Sequence, residues 1–92
     1  VDIGQARQLL GEGAVIVDVR SQNEYAADET ENSVNLPLEN LEASLDQFRN
    51  IKSLLVCKSG ARSHIALEKL RKHGIHDAWN LGPISRLADL KG

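Results

Sequence analysis

The 92-residue chain has one cysteine, two prolines, three aromatic side chains and no methionine, and each scarcity narrows what it can be. A lone cysteine cannot form an internal disulfide, so cysteine usage does not assign a redox compartment. His64, His73 and His76 do not stand at a ligand spacing with Cys57, so a clustered Cys/His metal site is not expected. With only Tyr25, Phe48 and Trp79 available to stack on bases, and no basic run, nucleic acid is not an expected partner. No apolar run is long enough to cross a bilayer, so no membrane span is expected. No leader precedes Val1, which favours a cytoplasmic setting, or a periplasmic one if a leader has been removed. Oligomeric state is not written in the sequence.

What the chain does have is enough apolar residue, 41%, for a small globular core. Its length fits one domain over residues 1–92, with room for a single sheet and its flanking helices. Charge is uneven. Residues 1–50 carry ten acids and three arginines, net −7, whereas residues 51–92 carry eight bases and three acids, net +5. The basic half holds the cysteine, which is compatible with an anionic substrate.

Strand and helix signals alternate. Asp2 with Gln5 three residues on is a capping-box pattern opening a first helix through Ile3, Ala6 and Leu10, ended by Gly11 or Gly13. Ala14-Val15-Ile16-Val17 is a short continuous apolar run, the pattern of a strand buried on both faces. Ser21 caps a short helix through Glu24 and Tyr25, and the acidic stretch 28–32 is a loop. Ser33 to Leu36 is a brief strand stopped by Pro37. Leu38, Leu41, Leu45 and Phe48 predict a helix of about three turns. Leu54 to Cys57 is the central strand. From Ser63 to His73 runs a helix with Ile65, Ala66, Leu67 and Leu70 inward, and Gly74 ends it. A last strand from Ile75 to Leu81 is broken by Gly82-Pro83, and a short helix from Ile84 to Leu90 follows. The alternation predicts an α/β fold: a small parallel sheet with helices on both faces.

Cys57 is the residue to which this order gives most meaning. A thiol at the carboxyl end of a buried strand, beside a helix start, lies where open α/β sheets place ligands. A structural cysteine would behave as a small hydrophobe, but it would not need Lys58-Ser59-Gly60-Ala61-Arg62-Ser63 beside it. A helix amino terminus and the cations Lys58 and Arg62 favour the thiolate, so Cys57 is the candidate nucleophile. His64 is better placed as a surface helix residue than as a base for Cys57, and Trp79 as a core residue than as a substrate platform.

These pieces together resemble the single-domain rhodaneses, which are sulfurtransferases. Val17-Asp18-Val19-Arg20-Ser21 with Glu24-Tyr25 is similar to the family's first signature, and Asn35-Leu36-Pro37 to the end of its second. Val56-Cys57 through Arg62-Ser63 resembles the active-site loop, Ala66, Leu70 and Gly74 the helix after it, and Asn80-Leu81-Gly82 the closing signature. The resemblance implies a Cys57 persulfide, charged by an anionic sulfur donor such as thiosulfate and discharged to cyanide or to a small or protein thiol, with no cofactor. It implies that amides of Lys58 to Ser63 cradle the persulfide, that Lys58 and above all Arg62 orient the donor, and that Asp18, Arg20 and Glu24 are structural, with Arg20 and Glu24 most simply an ion pair.

The chain departs from the pattern at Glu29 and Asn32, where histidine and glycine are usual, at Pro83 in place of a second glycine, and at Leu87 in place of tryptophan. Two other readings compete. The cell-cycle phosphatases of the same fold use a C-x5-R loop, whereas Cys57 to Arg62 is C-x4-R, a ring too tight for phosphate. A non-catalytic or sulfur-carrying module that docks a partner is the other.

Overall fold

The computed structural model describes residues 1–91. Its core is a four-stranded, fully parallel sheet in the order β2-β1-β3-β4, built from β1 (Val15–Asp18), β2 (Ser33–Asn35), β3 (Ser53–Cys57) and β4 (Ala78–Pro83). The α/β expectation holds. Alternation along β3 divides the core between the two faces. Leu54 and Val56 join Ala6 and Leu81 on one side, with Ile3, Leu10, Ile84 and Leu87 packed around them. Leu55 and Cys57 point the other way, into a cluster with Val17, Val19, Phe48, Ala66 and Leu70. Helix α1 (Ile3–Gly11) therefore covers one face and α4 (Ala61–Lys72) the other. Every residue of β3 is buried, as befits an interior parallel strand.

Local signals place most boundaries. Both capping boxes form. Asp2 accepts the Gln5 amide at 2.7 Å, and Ser21 accepts the Glu24 amide at 3.2 Å at the start of α2 (Gln22–Ala27). Gly74, at φ +79, follows the end of α4 in the left-handed conformation that closes a helix.

Three expectations are corrected. The stretch 38–48 is not one helix. A 3₁₀ segment, Leu38–Ser44, kinks at Asn40 and gives way to the short α3, Leu45–Arg49. Leu38, Leu41 and Ser44 recur every third residue, which a 3₁₀ turn satisfies as well as an α-helix does. Gly82-Pro83 does not break the last strand. The register shifts between Leu55 and Val56, so Gly82, at φ +102, lies beside Val56 and Pro83 beside Cys57. Proline is tolerated because β4 is an edge strand there. Ile65 points outward, 44% exposed, because the buried stripe of α4 is Ser63, Ala66, Leu67 and Leu70. No helix among the described residues is long and apolar enough to cross a membrane. A final short helix, α5 (Leu87–Leu90), packs on the α1 side.

Candidate active site

The chain leaves β1 toward β2 on one side and β3 toward β4 on the other. Between the carboxyl ends of β1 and β3 the strand order therefore reverses, which opens a crevice where open parallel sheets bind ligands. Asp18 ends β1 and Cys57 ends β3.

Cys57 is fully buried, with its sulfur held at the base of the following loop. The Gly60 amide donates to Sγ at 2.9 Å, and the Ser63 hydroxyl lies 3.6 Å away while donating to the Gly60 carbonyl at 3.0 Å. Gly60 adopts φ +95, which turns the chain back over the sulfur and starts α4 at Ala61, two residues earlier than the sequence pattern placed it. Burial is the largest single influence on the thiol and pushes its pKa up. The polar surroundings of the sulfur, Ser63 foremost and then the backbone of Gly60 and Ser59, outweigh it, and the pKa lies below the usual thiol value. The thiolate is therefore favoured chiefly by backbone donors, whereas the sequence pointed equally to the cations. The Ala61 amide faces the Ser59 hydroxyl at 3.4 Å rather than the sulfur.

The two loop cations differ. Lys58 is exposed and makes no ion pair among the described residues. Arg62 is already paired. The Nη1–Nη2 edge of its guanidinium is engaged by Glu24, Nη1 on Oε1 at 2.5 Å and Nη2 on Oε2 at 2.9 Å. Glu24 also accepts from the Ser21 hydroxyl at 3.0 Å and amide at 3.3 Å. Arg62 foremost, helped by Ser21, holds the Glu24 carboxyl down at about 2, and Glu24 raises the Arg62 pKa in return.

The expected Arg20–Glu24 ion pair is thus not the one that forms. Arg20 turns instead to Asp18, its Nε 2.9 Å from Oδ2, in a fully buried pair. Asp18 further accepts from the Arg20 amide at 2.9 Å and the Thr30 hydroxyl at 2.8 Å, and Arg20 donates to the Asp28 carbonyl at 2.7 Å. Thr30 and Asn35 were not legible as parts of this network. Asn35 donates to the carbonyls of Asp18 and Arg20 and closes the turn after β1. His64 lies on the surface against Glu68, 2.6 Å away, and Trp79 packs on the α1-side core. Among the described residues no group of three His, Cys, Asp or Glu could hold a metal ion.

The pairing also explains the uneven charge. Lys52 meets Glu12, Arg62 meets Glu24 and Lys91 meets Glu31, each joining a base of the second half to an acid of the first. Much of the asymmetry is internal complementarity. A cavity of about 660 Å³ lies among Leu10, Ile16, Thr30, Ile84, Leu87 and Leu90, and its lining contains no residue of the cysteine loop.

Glu24 titrates well below the ordinary carboxylate value of 4.5, so its pairing stabilises the fold above that value and is lost as pH falls from about 4.5 toward 2. Thermal melts of wild type and Glu24→Gln should differ at pH 6 and converge by pH 2. A difference that stays constant across this range would show that the ion pair is not its source.

The structure thus places Cys57 beneath the Gly60 amide at the switch point of a parallel α/β sheet. Residues 2–82 match the rhodanese-like domain family, and the chain belongs to that family. The Bacillus subtilis protein YqhL is 33% identical over 69 residues, 74% of this chain, and the chain spans about half (55%) of that relative's length. Among solved structures, a rhodanese-like domain protein from Staphylococcus aureus is 31% identical at a TM-score of 0.71, covering 88% of this chain and 81% of its own. The human single-domain sulfurtransferase TSTD1 is 29% identical at a TM-score of 0.71, covering 87% of this chain and 85% of its own.

Proposed function

We propose that the domain transfers sulfane sulfur through a persulfide on Cys57. The observation that carries this reading is the Cys57 sulfur at the end of β3, accepting from the Gly60 amide at 2.9 Å inside a C-x4-R loop. The thiol loses its proton to solvent. The thiolate attacks the outer sulfur of a donor such as thiosulfate, a new S–S bond forms, the donor's own S–S bond breaks, and sulfite leaves with the electron pair. A thiophilic acceptor, cyanide or a thiolate, then attacks the terminal sulfur and releases the Cys57 thiolate. Loop amides favour the Cys57 thiolate, so they keep the nucleophile ionised for the first step and make it a better leaving group in the second, without a cofactor. Lys58 is the cation free to meet an anionic donor.

Intact mass after incubation with thiosulfate tests this. The expected result is a gain of one sulfur atom, reversed by cyanide with release of thiocyanate, and no gain in Cys57→Ser. A serine variant that still gains sulfur, or a wild type that gains none, overturns the reading.

The loop also separates this activity from phosphoryl chemistry. Hydrolysis of aryl phosphates by the wild-type chain should stay at background, because the four residues between Cys57 and Arg62 enclose too small a ring for phosphate. Robust turnover of p-nitrophenyl phosphate would refute the size argument.

A further inference from the structure

Glu24 lies 38 positions before Arg62, on a different element, and nothing in the sulfur-transfer reading requires it. Its placement is nonetheless specific. The carboxylate is fixed at the first turn of α2 by the Ser21 cap and takes the Nη1–Nη2 edge of the one arginine in the cysteine loop with both its oxygens. The pair is about two-fifths exposed, so as a surface ion pair it adds little stability. Its geometry is bidentate, however, and bidentate pairing fixes where a guanidinium points. Arg62 follows Cys57 by five residues and the sulfur favours its charge, but Glu24 does so more strongly.

We propose that Glu24 is a positioning residue that sets donor selectivity: by holding Arg62 it withholds that charge from the donor, so that the site receives highly charged anions less readily than its loop sequence implies. This rests on the sulfur-transfer reading for its biological meaning. Thiosulfate, a dianion, is then a weaker donor than an arginine and a lysine at the mouth would make it, and donors of lower charge, such as a persulfide bearing a single negative charge, lose less. The lysine remains, and the amides do the same work for every donor.

Two alkylating agents of nearly equal size isolate the effect, iodoacetate carrying one negative charge and iodoacetamide none. Because Cys57 is buried, both rates depend on access and ionisation, and their ratio cancels most of that dependence. Glutamine preserves the capping box with Ser21, so Glu24→Gln should keep α2. In that variant the iodoacetate-to-iodoacetamide ratio should rise about three- to tenfold at low ionic strength, the scale of a local field change at a charged cleft, and fall back in high salt. Adding Arg62→Gln should cancel the gain. A ratio that is unchanged or lower in Glu24→Gln overturns the proposal, as does a gain that survives in the double variant, since the effect would then not pass through Arg62. A merely structural clamp would slow both reagents alike and leave the ratio where it was. Arg62→Gln alone unmasks the carboxylate and should lower the ratio several-fold. It serves as the second test if Glu24→Gln does not fold, and no change in it also overturns the proposal. Sulfur loading of the wild type is measured alongside. If thiosulfate adds no sulfur while the ratios behave as stated, the transfer reading fails and the control of Cys57 by Glu24 stands.

Discussion

Replacing Asp18 with alanine is expected to destabilise the domain by about 3–5 kcal/mol, the cost of removing one partner from a buried ion pair. Arg20 is only 4% exposed, so without the buried carboxylate its charge is left with the Asp28 carbonyl at 2.7 Å and the more distant Asp28 carboxylate at 3.6 Å. The same change strips acceptors from the Arg20 amide and the Thr30 hydroxyl. Native domains are stable by roughly 5–15 kcal/mol, so the variant should lie near the limit of folding. Chemical denaturation checks the magnitude. The double variant Asp18→Leu with Arg20→Met separates charge from shape: it should recover part of the loss, because replacing both members of a buried pair with apolar groups is often nearly neutral. A single variant costing under about 1 kcal/mol would place the pair among weak surface contacts instead.

Replacing Gly60 with alanine should lower the rate of sulfur loading on Cys57 about tenfold or more. The residue sits at φ +95, which costs a side-chain-bearing residue about 1–2 kcal/mol. A Cβ there would also stand 3.3 Å from the Pro83 ring and 3.5 Å from the Gly82 Cα. Relief of either strain rotates the Gly60 amide off the sulfur, and a hydrogen bond to a charged group is worth about 1.5–3 kcal/mol. The thiol should then titrate higher, which the pH profile of iodoacetamide alkylation reads directly. In the wild type that profile should have its midpoint below the ordinary thiol value of 9.0. An alanine variant with unchanged profile and loading would show that the amide does not stabilise the thiolate.

Features carried by near neighbours were legible in the sequence. Both capping boxes, the Gly74 stop, the apolar runs of β1 and β3 and, Ile65 apart, the stripe of α4 are local patterns, and each formed. Cys57 stood out because its neighbours were wrong for a buried structural cysteine. What could not be read were pairings across the fold. Arg20 had Asp18 two residues before it and Glu24 four residues after it, and only the turn after β1 decides between them. Arg62 reads as an anion-binding fork until α2 brings Glu24 to it. The bulge that carries β4 past Gly82-Pro83 has no sequence mark, since the same dipeptide more often ends a strand. In 38–48 the spacing itself was ambiguous between two helical periods.

The bulge in β4 has a consequence for how this domain could change its substrate. By sliding Gly82 and Pro83 alongside Val56 and Cys57, it seats a proline ring against the turn of the cysteine loop at Gly60. The aperture is thus bounded from outside as well as by its own length. A loop lengthened by one residue would have to displace Pro83, whose ring fixes its own backbone and cannot swing aside. Lineages moving toward larger oxyanions would need two coordinated changes far apart in the chain, an insertion after Cys57 and a smaller residue at position 83.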